Sequence, residues 1–164
     1  TEAEAIEQAQ FFVSVVKGLS IDCRLAMDFE SFGTLGTYEI NRIAKTFLQE
    51  VQMLSGKEVI IYSDAYNAAY TFSSTLANNY PIWVADYFVS EPGNGNWTVW
   101  DGFQYSDRGR ISGIEGNVDR DFFTNKIFLT DSTPIPDDTT SDTPTNTETI
   151  VVKKGDTLSQ IAIK

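Results

Sequence analysis

The feature that most constrains the fold is a repeated change of period over residues 1–87. Apolar residues recur at helical spacing over three segments, residues 1–18, 38–56 and 66–75. A strand is predicted after each of these segments, over residues 24–30, 58–62 and 81–87. Because helices and strands alternate with short connections, the sequence predicts a parallel sheet with its helices outside it, an α/β fold.

The pattern changes after residue 87. A loop rich in Gly and Asn precedes three short strands without helices between them, predicted over residues 98–105, 110–114 and 118–123. The sheet or barrel is therefore expected to finish irregularly. Residues 131–148 are mostly Thr, Pro, Asp and Ser, with Ile135 as the one sizeable apolar residue, which predicts a linker. Residues 149–164 differ again in composition and are predicted to open a second domain, after a first domain over residues 1–130.

Composition excludes several classes of function. The 164 residues include 12 Lys and Arg against 23 Asp and Glu, so a basic face for nucleic acid is not expected. The chain has no His, which excludes Ser-His-Asp and Cys-His triads and histidine metal ligands. Acid–base chemistry must therefore rely on carboxylates. Cys23 is the only cysteine, so an intrachain disulfide is not possible, and no apolar run approaches the length of a membrane span.

Asp28 and Glu30 form a candidate catalytic pair. They lie two residues apart on a predicted strand, so both side chains leave the same face, with Cα atoms roughly 6–7 Å apart. Leu25 and Met27 alternate with them and are predicted to pack on helices. Two carboxylates in unequal environments can divide acid and stabilising roles, as glycosidic bond cleavage requires. The alternatives are that the pair only caps the next loop or binds a cation.

Aromatic side chains near the predicted strand ends are a second indication of carbohydrate chemistry. Sugar rings bind to aromatic surfaces with polar groups beside them, although most aromatic residues in proteins belong to the core. The aromatic candidates are Tyr62, Tyr66, Trp83, Tyr87, Trp97, Trp100 and Tyr105, and the polar groups near them are Asp86, Asn94, Asn96 and Gln104. Of these, Tyr62, Trp83, Tyr87 and Gln104 are the candidates for substrate binding.

Five segments in order resemble glycoside hydrolase family 25, the phage and bacterial muramidases. They are LAMDFE (25–30), IYS (61–63), IWVADY (82–87), GFQYS (102–106) and GIEGNVDRDF (113–122). The resemblance covers residues 1–129. It implies the C-terminal portion of an irregular (β/α) TIM-like barrel that cuts the β-1,4 bond between N-acetylmuramic acid and N-acetylglucosamine in bacterial peptidoglycan, with neither cofactor nor metal.

The resemblance also implies residue roles. Glu30 would be the general acid that protonates the leaving oxygen. Asp28 would stabilise or orient the acetamido group of the substrate as it assists at the anomeric carbon, and Asp119 would lie at the rim of the site. Wall positions correspond to Tyr62, Trp83 and Tyr87.

One departure from the family pattern concerns the start of the chain. The family begins with a strand that carries another active-site Asp, whereas this sequence starts at the helix before the Asp28 strand. About the first third of the catalytic fold is therefore expected to be missing from this polypeptide, and its first residue, Thr1, is typical of a processed or partial chain. An open sheet leaves an unpaired edge, so the polypeptide alone is expected to be unstable or inactive.

The segment IVVKKGDTLSQIA (150–162) looks like the opening of a LysM repeat. Such repeats bind glycans that contain N-acetylglucosamine, and Gly155, Asp156 and Thr157 match the loop that contacts sugar. The chain ends before a complete repeat. Both resemblances point to peptidoglycan as the partner and to a location outside the cell, in the cell wall or delivered there by a phage.

Two rival hypotheses remain at this point. A protein with a degenerate barrel would bind peptidoglycan without cleaving it. A muramidase-like fold that acts on chitin-type polymers would differ only in substrate.

Overall fold

The computed structural model describes residues 1–130. The elements follow one another as α1 (Glu2–Val16), β1 (Leu25–Asp28), α2 (Thr37–Ser55), β2 (Val59–Asp64), α3 (Ala65–Tyr70), α4 (Ser74–Ala77), β3 (Ile82–Ala85), β4 (Gly102–Gly109), β5 (Val118–Phe123) and a 3-10 turn (Asn125–Ile127). The predicted linker and the predicted LysM segment lie outside the described residues.

The five strands form one sheet in the order β1-β2-β3-β4-β5. The first four strands are parallel, and β5 pairs antiparallel with β4. The result is a mixed α/β fold whose sheet curls into a half-barrel. The prediction of an α/β fold with a parallel sheet and an irregular, helix-free end is confirmed.

Local sequence signals explain where the two long helices begin and end. Thr1 caps α1 in a reciprocal capping box with Glu4, which satisfies backbone donors that the first turn leaves free. Gly56 ends α2 in the left-handed conformation, with φ of 67°, and its N–H donates to the carbonyl of Gln52. Both boundaries match the sequence prediction.

The core lies between the sheet and the helices. Leu25 and Met27 on β1 point towards it, as their alternation predicted. The other strand residues on this face are Val59, Ile61, Ile82 and Val84, and the α2 residues that meet them are Ile40, Ala44, Leu48 and Val51. Each large side chain buried here stabilises the fold by roughly 1.5–3 kcal/mol. This packing leaves the opposite face of the sheet, called the inner face below, without a helix among the described residues.

Two predicted elements were wrong. The strand expected over residues 110–114 is a turn, in which Ile114 N–H donates to the Ile111 carbonyl and Gly113 takes a φ of 91°. The single helix expected over residues 66–75 is divided into α3 and α4. Asn41 on α2 causes the break, because its side chain donates to the Thr71 carbonyl and accepts from the Ser73 N–H.

The segment that follows β5 closes the amino-terminal end of the half-barrel. Arg24 N–H donates to the Ile127 carbonyl, and Leu129 N–H donates to the Asp22 carbonyl. Beyond Arg24, the outer edge of β1 pairs with no other strand in the part of the chain that the structure describes. The open edge expected from the sequence is therefore present.

Candidate active site

The predicted pair, Asp28 and Glu30, lies at the carboxyl end of β1, beside the inner face of the sheet. Asp28 is the last residue of that strand and pairs in register with Tyr62, which pairs with Trp83 on β3. Glu30 lies two residues beyond the end of β1, in the loop that leads to α2. Functional side chains gather at this end of a parallel sheet because several loops meet there.

Glu30 lies within electrostatic reach of two other carboxylates at this end of the sheet. Partial burial is the main cause that raises the pKa of Glu30 above its usual value, and the negative charges of Asp28 and then Asp64 add to the shift. A carboxyl group with a raised pKa keeps its proton to higher pH. Glu30 is therefore suited to donate a proton, as a general acid must.

Two tyrosines converge on one amide beside this cluster. The hydroxyl groups of Tyr62 and Tyr87 donate to Gln104 Oε1 at 2.8 and 2.6 Å. Burial, followed by the charge of Glu30, raises the pKa of the Tyr62 hydroxyl far above its usual value. Gln104 is only 3% exposed, so it lies behind the tyrosines and holds their hydroxyl groups in place.

Trp83 is fixed in the middle of the inner face. Its indole N–H donates to Asp121 Oδ1 at 2.8 Å, and its ring meets Tyr62 and Phe123 edge to face at 4.8 and 5.1 Å. Gly102 lies beneath these rings, and a Cβ at that position would come within 2.7 Å of Trp83 and Phe123. Only a glycine at this point of β4 lets the aromatic row cross the sheet.

Asp119 comes to the same end of the sheet because β5 runs antiparallel and starts there. Its negative charge raises the pKa of the Tyr62 and Tyr87 hydroxyl groups, although burial and other nearby groups contribute more in both cases. All the catalytic and wall residues predicted within residues 1–130 thus belong to one surface. Of the other aromatic candidates, Trp97 lies in the core instead.

Sequence reasoning missed two carboxylates of this site. Asp64 acts on Glu30 and also caps α3 by accepting from the Asn67 N–H. Asp121 holds Trp83. The signal was available in both cases. Asp64 lies two residues after Tyr62, and Asp121 lies two residues after Asp119, and residues two apart on a strand share a face.

Below the carboxylates, the inner face continues as an apolar cleft lined by Ala26, Ile60, Trp83 and Phe123. Within residues 1–130 no three acidic or cysteine side chains are grouped so as to hold a metal ion. In the same range, none of the helices is both long and apolar enough to cross a bilayer.

Comparison with known proteins assigns the family. The family model for glycosyl hydrolases family 25 matches residues 1–114. The chain belongs to this family. The family 25 domain therefore carries the Asp28 and Glu30 segment and both wall strands, β2 and β3, within the matched range.

Curated relatives and solved structures agree with the assignment. The domain is 35% identical over 124 residues to an autolytic lysozyme of Clostridium acetobutylicum, covering 74% of this chain and 36% of the relative. It is 34% identical over 122 residues to the protein YegX of Escherichia coli K12, covering 73% and 43%. The CTP1L endolysin structure aligns with a TM-score of 0.68 and 27% identity over 77% of this chain and 44% of that one. The chain thus spans less than half the length of these relatives.

Asp121 provides a prediction on stability. Burial raises its pKa, and the hydrogen bond from Trp83 offsets this in part. As the pH rises through that pKa, Asp121 ionises in the folded state, and its burial disfavours the charge. The free energy of unfolding therefore falls relative to that of a variant with a neutral side chain at this position. The Asp121→Asn variant of the family 25 domain keeps an oxygen for Trp83 and should melt above wild type at neutral pH.

The measurement is Tm against pH for both proteins. The difference in Tm should widen from acidic to neutral pH, and a difference that shrinks over this range would contradict the burial of Asp121. The control is Asp107→Asn, which removes an exposed ion pair with Arg108.

Proposed function

We propose that the protein hydrolyses the β-1,4 bond between N-acetylmuramic acid and N-acetylglucosamine in bacterial peptidoglycan. The observation that carries the proposal is the group of carboxylates at the carboxyl end of the inner face, in which Glu30 has a raised pKa beside Asp28. Family membership and similarity to an autolytic lysozyme and an endolysin support the same reaction.

In this proposal Glu30 is the general acid. Its retained proton passes to the glycosidic oxygen as the bond to the anomeric carbon breaks, and a water molecule then forms the new bond to that carbon and gives up a proton that restores the acid. Asp28 stabilises or orients the acetamido group of the substrate at the anomeric carbon. Asp119, whose charge acts on Tyr62 and Tyr87, helps to bind the substrate at the rim of the site.

The proposed wall of the substrate site consists of Tyr62, Trp83 and Tyr87. Each of these side chains is held by a hydrogen bond from behind, which fixes its orientation before substrate arrives. Gln104 is proposed to act through the two tyrosines, since its burial leaves it little surface for a sugar.

The half-barrel is proposed to be the C-terminal portion of an irregular TIM-like barrel. The open edge of β1 supports this, because an exposed edge strand offers unpaired backbone groups to a further strand. Exposed apolar side chains on α1, Phe11 and Val15, support it as well. The greater length of the relatives is consistent with additional strands in the complete fold.

Residues 149–164 are proposed to open a LysM repeat, with Gly155, Asp156 and Thr157 in its sugar-contacting loop. A wall-binding module tethered through residues 131–148 raises the local concentration of substrate. Together, these assignments support a location in the cell wall or outside the cell.

The test uses the complete barrel proposed above and compares two polymers and two readouts. Purified peptidoglycan is expected to lose turbidity and release soluble fragments, whereas chitin is not. Binding to peptidoglycan without soluble fragments would favour the non-catalytic alternative. Release of fragments from chitin at the same rate would contradict the assigned substrate, because the proposal requires a muramic acid residue at the cleaved bond.

The pH profile of hydrolysis provides a second prediction. Glu30 must be protonated to act, so activity is lost as the pH rises through its pKa. The Asp64→Asn variant removes a negative charge that raises this pKa, and the alkaline limb of the profile should therefore move to lower pH.

The matched control is Asp86→Asn. Asp86 also ties a loop through a backbone N–H, that of Gly93, but its charge is not among those that shift Glu30. An alkaline limb that stays in place in Asp64→Asn, or moves equally in the control, would contradict the assignment of Glu30 as the acid.

A further inference from the structure

Phe88 has an unusual backbone and an unusual exposure. Within residues 1–130 it is the single non-glycine residue with positive φ, at 66°. This conformation suits Gly or Asn and costs free energy for a residue with a bulky side chain. The ring is also 86% exposed. A strained backbone and an exposed ring at one position indicate a function that stability alone does not explain.

The loop that carries Phe88 is anchored rather than free. Gly93 N–H donates to Asp86 Oδ2 at 3.0 Å and ties the two ends of the loop together. Pro92 is buried at its base, and Glu91 accepts a hydrogen bond of 3.4 Å from Trp100 Nε1. Phe88 therefore projects from a fixed support, which reduces the conformational entropy lost on binding.

The position of Phe88 is next to the candidate active site. Tyr87, its chain neighbour, turns inwards and donates its hydroxyl group to the buried side chain of Gln104. The loop follows β3 at the same end of the sheet as Glu30. The cleft wall and the exposed ring are thus consecutive residues, one facing in and the other facing out.

We propose that Phe88 is the stacking platform of an outer subsite that binds an N-acetylated hexosamine ring of the glycan strand, beyond the sugars at the cleaved bond. The face of an aromatic ring packs against the axial C–H groups of a pyranose ring. In this proposal a glycan strand that extends past the sugars at the cleaved bond contacts the platform, whereas a disaccharide at that bond does not. The inference rests on the proposed function, since it needs a glycan strand as substrate.

The experiment measures binding of peptidoglycan oligosaccharides by calorimetry, with all proteins in a Glu30→Gln background so that the strands stay intact. The Phe88→Asn variant suits the positive φ but lacks the ring. It should weaken binding of a hexasaccharide roughly 3- to 10-fold, leave disaccharide binding unchanged and keep or raise Tm. Phe88→Trp should bind the hexasaccharide at least as tightly as the parent.

The matched control is Phe11→Asn, which removes another exposed ring, 71% exposed, from α1 on the opposite side of the sheet. Equal hexasaccharide affinity in Phe88→Asn and its parent would overturn the subsite. A lower Tm in Phe88→Asn with unchanged affinity would also overturn it and assign the ring a packing role. If the parent binds neither oligosaccharide, the proposed function itself fails. Failure of the subsite alone differs from this, because the parent and Phe88→Asn then bind the hexasaccharide equally.

Discussion

Substitution of Glu30 by Gln is expected to lower the rate of peptidoglycan hydrolysis by roughly 10²- to 10⁴-fold, the usual contribution of a general acid. An amide has nearly the shape of the carboxyl group but cannot release a proton to the leaving oxygen. Binding of peptidoglycan should change little, because the tyrosine and tryptophan wall stays intact. The measurement is the initial rate of turbidity loss together with the amount of protein bound to the insoluble wall.

The control for this variant is Glu7→Gln, on the exposed side of α1. It makes the same carboxyl-to-amide change far from the inner face and should retain the full rate. Equal rates for Glu30→Gln and wild type would show that another group supplies the proton.

Substitution of Phe72 by Ala is expected to cost about 3–5 kcal/mol of the free energy of unfolding. Phe72 is 1% exposed and lies edge to face against Phe32 and Trp97, with ring centroids 6.0 and 6.4 Å apart. Phe32 in turn meets Phe29 at 4.8 Å, next to Glu30. The lost ring would therefore leave a cavity and also loosen the loop that carries the general acid.

Urea unfolding followed by tryptophan fluorescence measures this effect, since Trp97 lies against the altered site. The control is Tyr70→Ala, two residues away but 72% exposed, which should change stability by about 0.5 kcal/mol or less. A similar loss in both variants would contradict the packing of Phe72 as the link between the helices and the Glu30 loop.

Short-range patterns allowed the sheet and the main helices to be predicted. Alternation of Leu25 and Met27 with Asp28 fixed which side of β1 faces the helices, and Gly56 marked the end of α2. These features depend on residues a few positions apart. The same locality placed Asp28 on the inner face, whereas the strand predicted to run to Glu30 ends at Asp28, so Glu30 lies in the following loop.

Contacts between distant parts of the chain explain what the sequence did not reveal. The break between α3 and α4 depends on Asn41, 30 residues away from Thr71. The shared acceptor at Gln104 joins Tyr62 across 42 residues, and Trp83 reaches Asp121 across 38. Contacts between such distant residues leave no periodic pattern in the sequence. The strand expected over residues 110–114 failed for a different reason, because Gly113 and Gly116 both take positive φ, which favours turns over a strand.

The reducing end of the released fragments tests the central claim most directly. Peptidoglycan digested by the protein is reduced with borohydride, and the fragments are sequenced by mass spectrometry, with Glu30→Gln treated in parallel. The account predicts reduced N-acetylmuramic acid at the new ends in the wild-type digest and none above background in the variant. Reduced N-acetylglucosamine, or cleavage confined to the peptide stems, would contradict it.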